Sequence, residues 1–205
     1  MPVKPDRAPL ADRPAQAGTA LLVIDMISTW DFVDAEKIVR AAVAIAPRIG
    51  ALKRRCMRAG VPAIYVNDNR GRWRSEFREL VRVSIAESQT GAAIAKHLQP
   101  RDDDYSVLKP KHSAFYATPL DLLLRHLRVT RLLIGGVASD QCIAMSAAEA
   151  KMRDYDVVVA SDCIADQTPA RTARALRHLR EAHAIATTPS ARLRMTARRR
   201  APAVG

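Results

Sequence analysis

The chain has 205 residues, 48% of them hydrophobic and 26% charged, with a formal net charge of +12 at pH 7. That length suits one domain with a sheet buried between two helical layers, and the composition excludes a disordered chain. No apolar run approaches the roughly 20 residues of a membrane span, and the three cysteines lack the C-x-x-C spacing of a zinc knuckle or the even number of a disulfide framework.

Residues 1–17 are rich in Pro, Ala and Asp and are expected to form a loose arm. They carry acids and prolines where a signal peptide needs an apolar stretch, so a cytoplasmic location is expected. The segment TALLVID (19–25) is a short apolar run ending in an acid, the pattern of a buried parallel strand. Ile38, Ala42, Ile45, Ile49, Leu52 and Cys56 then step by fours and threes along one helix face, with Pro47 expected to kink or split the helix. Further strands are predicted at VPAIYVND (61–68), YSVLK (105–109), RLLIGG (131–136) and DVVVA (156–160), with a weaker run, HAIAT, at 183–187. Helices are predicted at about 75–86, 91–98, 118–128, 139–153 and 169–182. Strands alternating with helices, each strand apolar throughout, imply a three-layer α/β/α fold with a mostly parallel five- or six-stranded sheet. The domain is expected over 18–190, followed by a basic, disordered tail at 191–205.

In such sheets ligands bind at the carboxyl ends of the strands. Asp25 and Lys109 both end strands, and Cys142 follows another, which places three chemically useful groups on one rim. Around Cys142 the sequence runs strand, glycine-rich turn, helix, with Ser139 or Asp140 as N-cap. A thiol in that first turn is expected to be stabilised as thiolate by the helix N-terminus and by Lys109, while Asp25 accepts its proton. The N–H groups of Ala138 and Cys142 can converge on a tetrahedral oxyanion. The same cysteine can equally be a packing residue of an apolar helix, and Asp25 a loop cap.

Four segments shift the balance between those readings. ALLVIDM, VLKPKHSAF, GVASDQC and VVVASDC, in that order, resemble the isochorismatase-like cysteine hydrolases over roughly residues 19–187. The resemblance implies Asp25, Lys109 and Cys142 as the catalytic set, Lys109 being preferred to Lys111 by its spacing to Phe115, and a cis peptide at Val137-Ala138. It implies hydrolysis of a C–N bond in a small amide or ureido compound, with other bonds, such as an ester or a vinyl ether, as the alternative. Nicotinamidases of the family bind a metal through an Asp-x-His pair after the second strand. Here that region reads YVNDNRGRW without histidine, and His97, His112, His126, His178 and His183 form no such pair, so no metal and no cofactor are expected.

Trp30, Phe32, Asn67, Asn69, Trp73, His112, Phe115 and Tyr116 lie in loops leaving the same rim and are candidate pocket residues for a small-molecule substrate. Cys56 and Cys163 are assigned to the core, and Asp162 to a loop or helix cap. A homo-oligomer, dimer or tetramer, is expected, and no membrane partner. The five arginines of 191–205 are read as a solvated tail whose removal leaves folding intact. A non-catalytic protein binding nucleic acid or an acidic partner through that tail is the rival reading, and nucleic-acid binding is not expected.

Overall fold

The computed structural model describes residues 18–71 and 73–195. Six strands, β1 (Thr19–Ile24), β2 (Ala63–Asp68), β3 (Tyr105–Lys109), β4 (Arg131–Gly136), β5 (Asp156–Ile164) and β6 (Ala186–Thr188), form one sheet in the order β3-β2-β1-β4-β5-β6. Every pairing is parallel. The helices are α1 (Ala35–Arg58), α2 (Phe77–Glu87), α3 (Gln89–Leu98), α4 (Leu120–His126), α5 (Ala144–Met152) and α6 (Pro169–His183). None of the described helices is long and apolar enough to cross a membrane.

The continuous apolar strands are explained by burial on both faces. In β1, Leu21 and Val23 join one core with α1 and α3, while Ala20, Leu22 and Ile24 join the other with α4, α5 and α6. This is the three-layer arrangement expected from the sequence. Connections from β1 and β4, neighbours at the centre of the sheet, leave in opposite directions, so the crevice between their carboxyl ends is the place where such a fold accepts ligands.

Three expectations are corrected. Pro47 does not split helix α1, which continues as one element past it, because the carbonyl whose bond is lost belongs to Val43, and both residues face solvent. Strand β5 extends to Ile164 with a register shift opposite Ile134 and Gly136; the polar pair Ser161 and Asp162 hid this extension. Asp162 is therefore no loop acid, and its carboxylate accepts the Ser190 N–H at 2.6 Å and hydroxyl at 2.9 Å.

That clamp begins the third correction, which concerns the tail. Residues 191–195 pack against α1: Leu193 is buried, Arg55 donates to the carbonyls of Ser190 at 2.6 Å and Leu193 at 2.8 Å, and Met195 lies on Cys56. The remaining tail, and the arm expected over 1–17, lie outside the described residues. A chain ended at residue 190 is expected to be about 2–3 kcal/mol less stable in urea than one ended at 195, chiefly from the lost burial of Leu193. Equal stability of the two would show that the segment contributes nothing.

Candidate active site

Asp25 directly follows β1 with a left-handed backbone (φ 53°), a conformation that Asp tolerates better than most residues. Its Oδ1 accepts the Asp68 N–H at 2.8 Å, which fixes the carboxylate across the end of β2. Lys109 closes β3, two strands away, and its side chain is fully buried. The Lys109 ammonium lies 2.9 Å from Asp25 Oδ2, 3.4 Å from Cys142 Sγ and 3.8 Å from Asp68 Oδ2. The three residues picked out on the rim are thus brought together around one ammonium. Lys111 is exposed to solvent.

Cys142 sits in a π-helical turn, Ser139–Ile143, that precedes α5. The chain reaches this turn through Gly136 (φ 131°), where any Cβ would collide with the Ile24 carbonyl, so glycine alone lets β4 pass so close to the end of β1. The peptide Val137-Ala138 is cis, as the resemblance implies. Neither Ser139 nor Asp140 is an N-cap. The Ser139 hydroxyl and the Asp140 N–H both bond to Asp166 Oδ2, at 2.8 and 3.0 Å. The N–H groups of Gln141 and Ile143 both bond to the Ala138 carbonyl at 3.2 Å.

Burial decides the protonation of this cluster. The Cys142 thiol is pushed up to about 12 by desolvation and then by the Asp25 charge, against which Lys109 pulls down. The expected resting thiolate is corrected accordingly: burial favours the protonated thiol at neutral pH. Desolvation likewise raises Asp25 above its ordinary 3.8, with Lys109, Cys142 and the Asp68 N–H opposing. Desolvation lowers Lys109, yet the charges of Asp25, Cys142 and Asp68 outweigh it and hold the ammonium above its ordinary 10.5.

A cavity of about 740 Å³ opens over the crevice, and of the three residues Asp25 is in its wall. Among the candidate pocket residues, Phe32 and Asn67 line it. Asn69 lines an adjoining cleft and braces its own loop by accepting the Gly71 N–H at 2.9 Å. His112 is exposed, with Nδ1 3.6 Å from Cys142 Sγ. The others are corrected. Trp30 and Phe115 turn into the two cores, and Trp73 (83% exposed) and Tyr116 (58%) are open to solvent and do not line the cavity.

A model of the Isochorismatase domain matches residues 19–190, nearly all of the described chain. The chain belongs to the isochorismatase family. It is 35% identical over 154 residues to the uncharacterized isochorismatase family protein YaaI of Bacillus subtilis, covering 75% of this chain and 84% of that one. A ureidoacrylate amidohydrolase of Methylobacterium radiotolerans is 32% identical over 91 residues, 44% of this chain and 35% of the relative. An isochorismatase family protein from Desulfovibrio vulgaris superposes with a TM-score of 0.69 at 27% identity, over 85% of this chain and 95% of that one. The N-carbamoylsarcosine amidase of Thermoplasma acidophilum shares the fold, with a TM-score of 0.65 at 22% identity over 85% and 98% of the two chains. Relatives of this isochorismatase-family chain thus include hydrolases of non-peptide C–N bonds.

The metal site of the family's nicotinamidases does not fit this isochorismatase-family chain. Asn67 Nδ2 donates to the Ile27 carbonyl at 2.7 Å, Asn69 is held by its loop, and Asp68 faces an ammonium. Among the described residues no group of three His, Cys, Asp or Glu side chains is placed to hold an ion.

Two residues of the site were missed in the sequence. Asp166 is buried and, besides the turn of Cys142, accepts the Gln167 N–H at 2.8 Å and faces Arg171 at 3.2 Å. Arg171 also grips both oxygens of Asp140, at 2.8 and 3.1 Å. Together they lock the turn to the start of α6. The signal was available: Asp166 stands just before Thr168 and Pro169, which cap and open that helix.

Proposed function

We propose that the protein is a cysteine hydrolase that cleaves the C–N bond of a small amide or ureido compound. The observation that carries this reading is the buried Lys109 ammonium in contact with both Asp25 and Cys142. A structural ion pair has no need of a thiol at its third corner.

Cys142 attacks the carbonyl carbon as its proton passes to Asp25. A thiol held near 12 gives almost no free thiolate at neutral pH, so transfer accompanies attack. The raised Asp25 is a stronger base than an ordinary carboxylate and returns the proton to the nitrogen as ammonia or an amine leaves. Lys109 keeps the carboxylate in place and offsets charge developing on sulfur. The N–H groups of Ala138 and Cys142 hold the oxyanion, their neighbours' N–H groups being already bonded. Water then attacks the thioester with Asp25 again taking a proton, and the departing sulfur regains it.

The test is ammonia release from a panel of primary amides and ureido compounds, with Cys142→Ala as control. Release by the wild type alone supports the reading, and none across the panel removes it. Brief iodoacetamide treatment is expected to label Cys142 before Cys56 and Cys163, which are wholly buried, and to accelerate about tenfold per pH unit between pH 7 and 10 as the thiolate fraction grows. Mass spectrometry of the peptides reads this, and preferential labelling of Cys163 would contradict it. Prolonged EDTA is expected to leave hydrolysis unchanged; activity lost to the chelator and restored by an added divalent ion would overturn the donor-set argument.

A further inference from the structure

The wall of the cavity opposes the charge of the protein. The chain carries +12, yet among the described residues five carboxylates and only two guanidinium groups line this cavity. Both guanidiniums are committed. Arg70 bonds to Thr29 and Asp31, and Arg171 to Asp140, Asp166 and Gln167. Lys109 is fully buried behind Asp25. Among the described residues, no lining cation is therefore left without an anionic partner of its own.

The acids are unequally compensated. Asp31 and Asp34 are paired with Arg70 and Lys37, Asp166 with Arg171, and Asp25 with Lys109. Among the described residues Asp68 has only the Arg70 N–H and the Lys109 ammonium at 3.8 Å, which it shares with Asp25. Beside it, Asn67 lines the same cavity, is 2% exposed, and has an Oδ1 without a hydrogen-bond partner among the described residues. Flipping that amide would not help, because its Nδ2 already donates to the Ile27 carbonyl. An orphan buried acceptor next to an undercompensated carboxylate asks for a donor, and a buried acceptor left unmet is costly.

We propose that the cavity rejects anions and takes a compound whose non-reacting end is a hydrogen-bond donor, cationic or neutral, docked against Asp68 and Asn67. The inference rests on the hydrolase reading only for calling that compound a substrate. Asp68 Oδ2 and Cys142 Sγ lie 3.8 and 3.4 Å from the same ammonium, which keeps the docking carboxylate and the thiol within a few bond lengths of each other. The preference separates this chain from a relative named for a carboxylate-bearing compound, ureidoacrylate.

Two arms test it on the full chain. The first is independent of turnover: Cys142 is modified with 2-aminoethyl or 2-sulfonatoethyl methanethiosulfonate, and the ratio of the two rates is compared with that for glutathione. Focusing by an acidic cleft predicts a cation-to-anion ratio about tenfold above that of glutathione, declining with salt and in Asp68→Asn. A ratio at or below that of glutathione, or one unmoved by Asp68→Asn, overturns the proposal. The second arm compares kcat/KM for β-alaninamide, butyramide and succinamate, matched in length and bearing ammonium, methyl and carboxylate ends. Succinamate is expected to be the poorest, and succinamate as the best substrate overturns the proposal. If none of the three is cleaved, the hydrolase reading fails for this class, and the thiosulfonate ratio still decides the charge preference.

Discussion

Replacing Asp25 by Asn is expected to lower kcat about 10²–10⁴-fold on any amide the wild type cleaves, the usual worth of a positioned general base. The amide keeps the size of the carboxylate and its oxygen can still accept the Asp68 N–H, so geometry is preserved. What is lost is the capacity to take the thiol proton, and a thiol near 12 cannot supply thiolate without it. The pH profile gives a second reading. Because burial holds Asp25 above 3.8, it is ionised and competent only above that raised value, and wild-type kcat/KM falls tenfold per unit as pH drops through it. Asp25→Asn should have no such acid limb. A variant retaining more than about a tenth of wild-type kcat, or an unchanged acid limb, would remove Asp25 from the role of base.

Much of this was legible in the sequence, for physical reasons that differ between elements. Strands β3 and β4 were bounded correctly because each is an apolar run cut off sharply by Pro110 or by the turn after Gly136. Asp25, Lys109 and Cys142 could be placed on one rim because, in a parallel sheet, strand ends share a side. Their mutual contact could not be read, since it depends on Lys109 reaching from β3 past β2 to the β1–β4 crevice. The thiol's protonation was misread because helix position is visible in a sequence and burial is not, and here desolvation outweighs the ammonium. Loop aromatics divided between core and solvent for the same reason: Trp30 and Trp73 flank the same rim, yet only tertiary packing distinguishes the buried ring from the exposed one. Asp166 escaped notice because its partners, Ser139 and Asp140, are 27 and 26 residues away.

Lys109→Met should cost both activity and stability, because its ammonium is fully buried against Asp25. Methionine fills most of the stem's volume but leaves Asp25 facing a buried apolar group. Removing one partner of a buried pair typically costs about 3–5 kcal/mol. Asp25, whose carboxyl keeps 17% of its surface exposed, should fall at the lower end, at about 3 kcal/mol in urea unfolding. Part of the relief comes from Asp25 taking up a proton, and a protonated Asp25 is no base, so turnover is lost even in molecules that stay folded. The sign of the pH dependence follows from the ammonium. Its folded value is raised above 10.5, so its stabilising contribution is complete below 10.5 and disappears as pH rises through the folded value. The gap between wild type and variant should therefore widen with pH for as long as the variant's Asp25 holds its proton, and close in alkali strong enough to neutralise the wild-type ammonium. Lys111→Met, at an exposed position, should stay within about 0.5 kcal/mol and remain active; the opposite pattern would transfer the role to Lys111. The decisive comparison is the double variant Asp25→Asn with Lys109→Met. With neither charge buried it should be more stable than Lys109→Met alone, because the penalty of that single change lies in the stranded carboxylate rather than in the missing attraction.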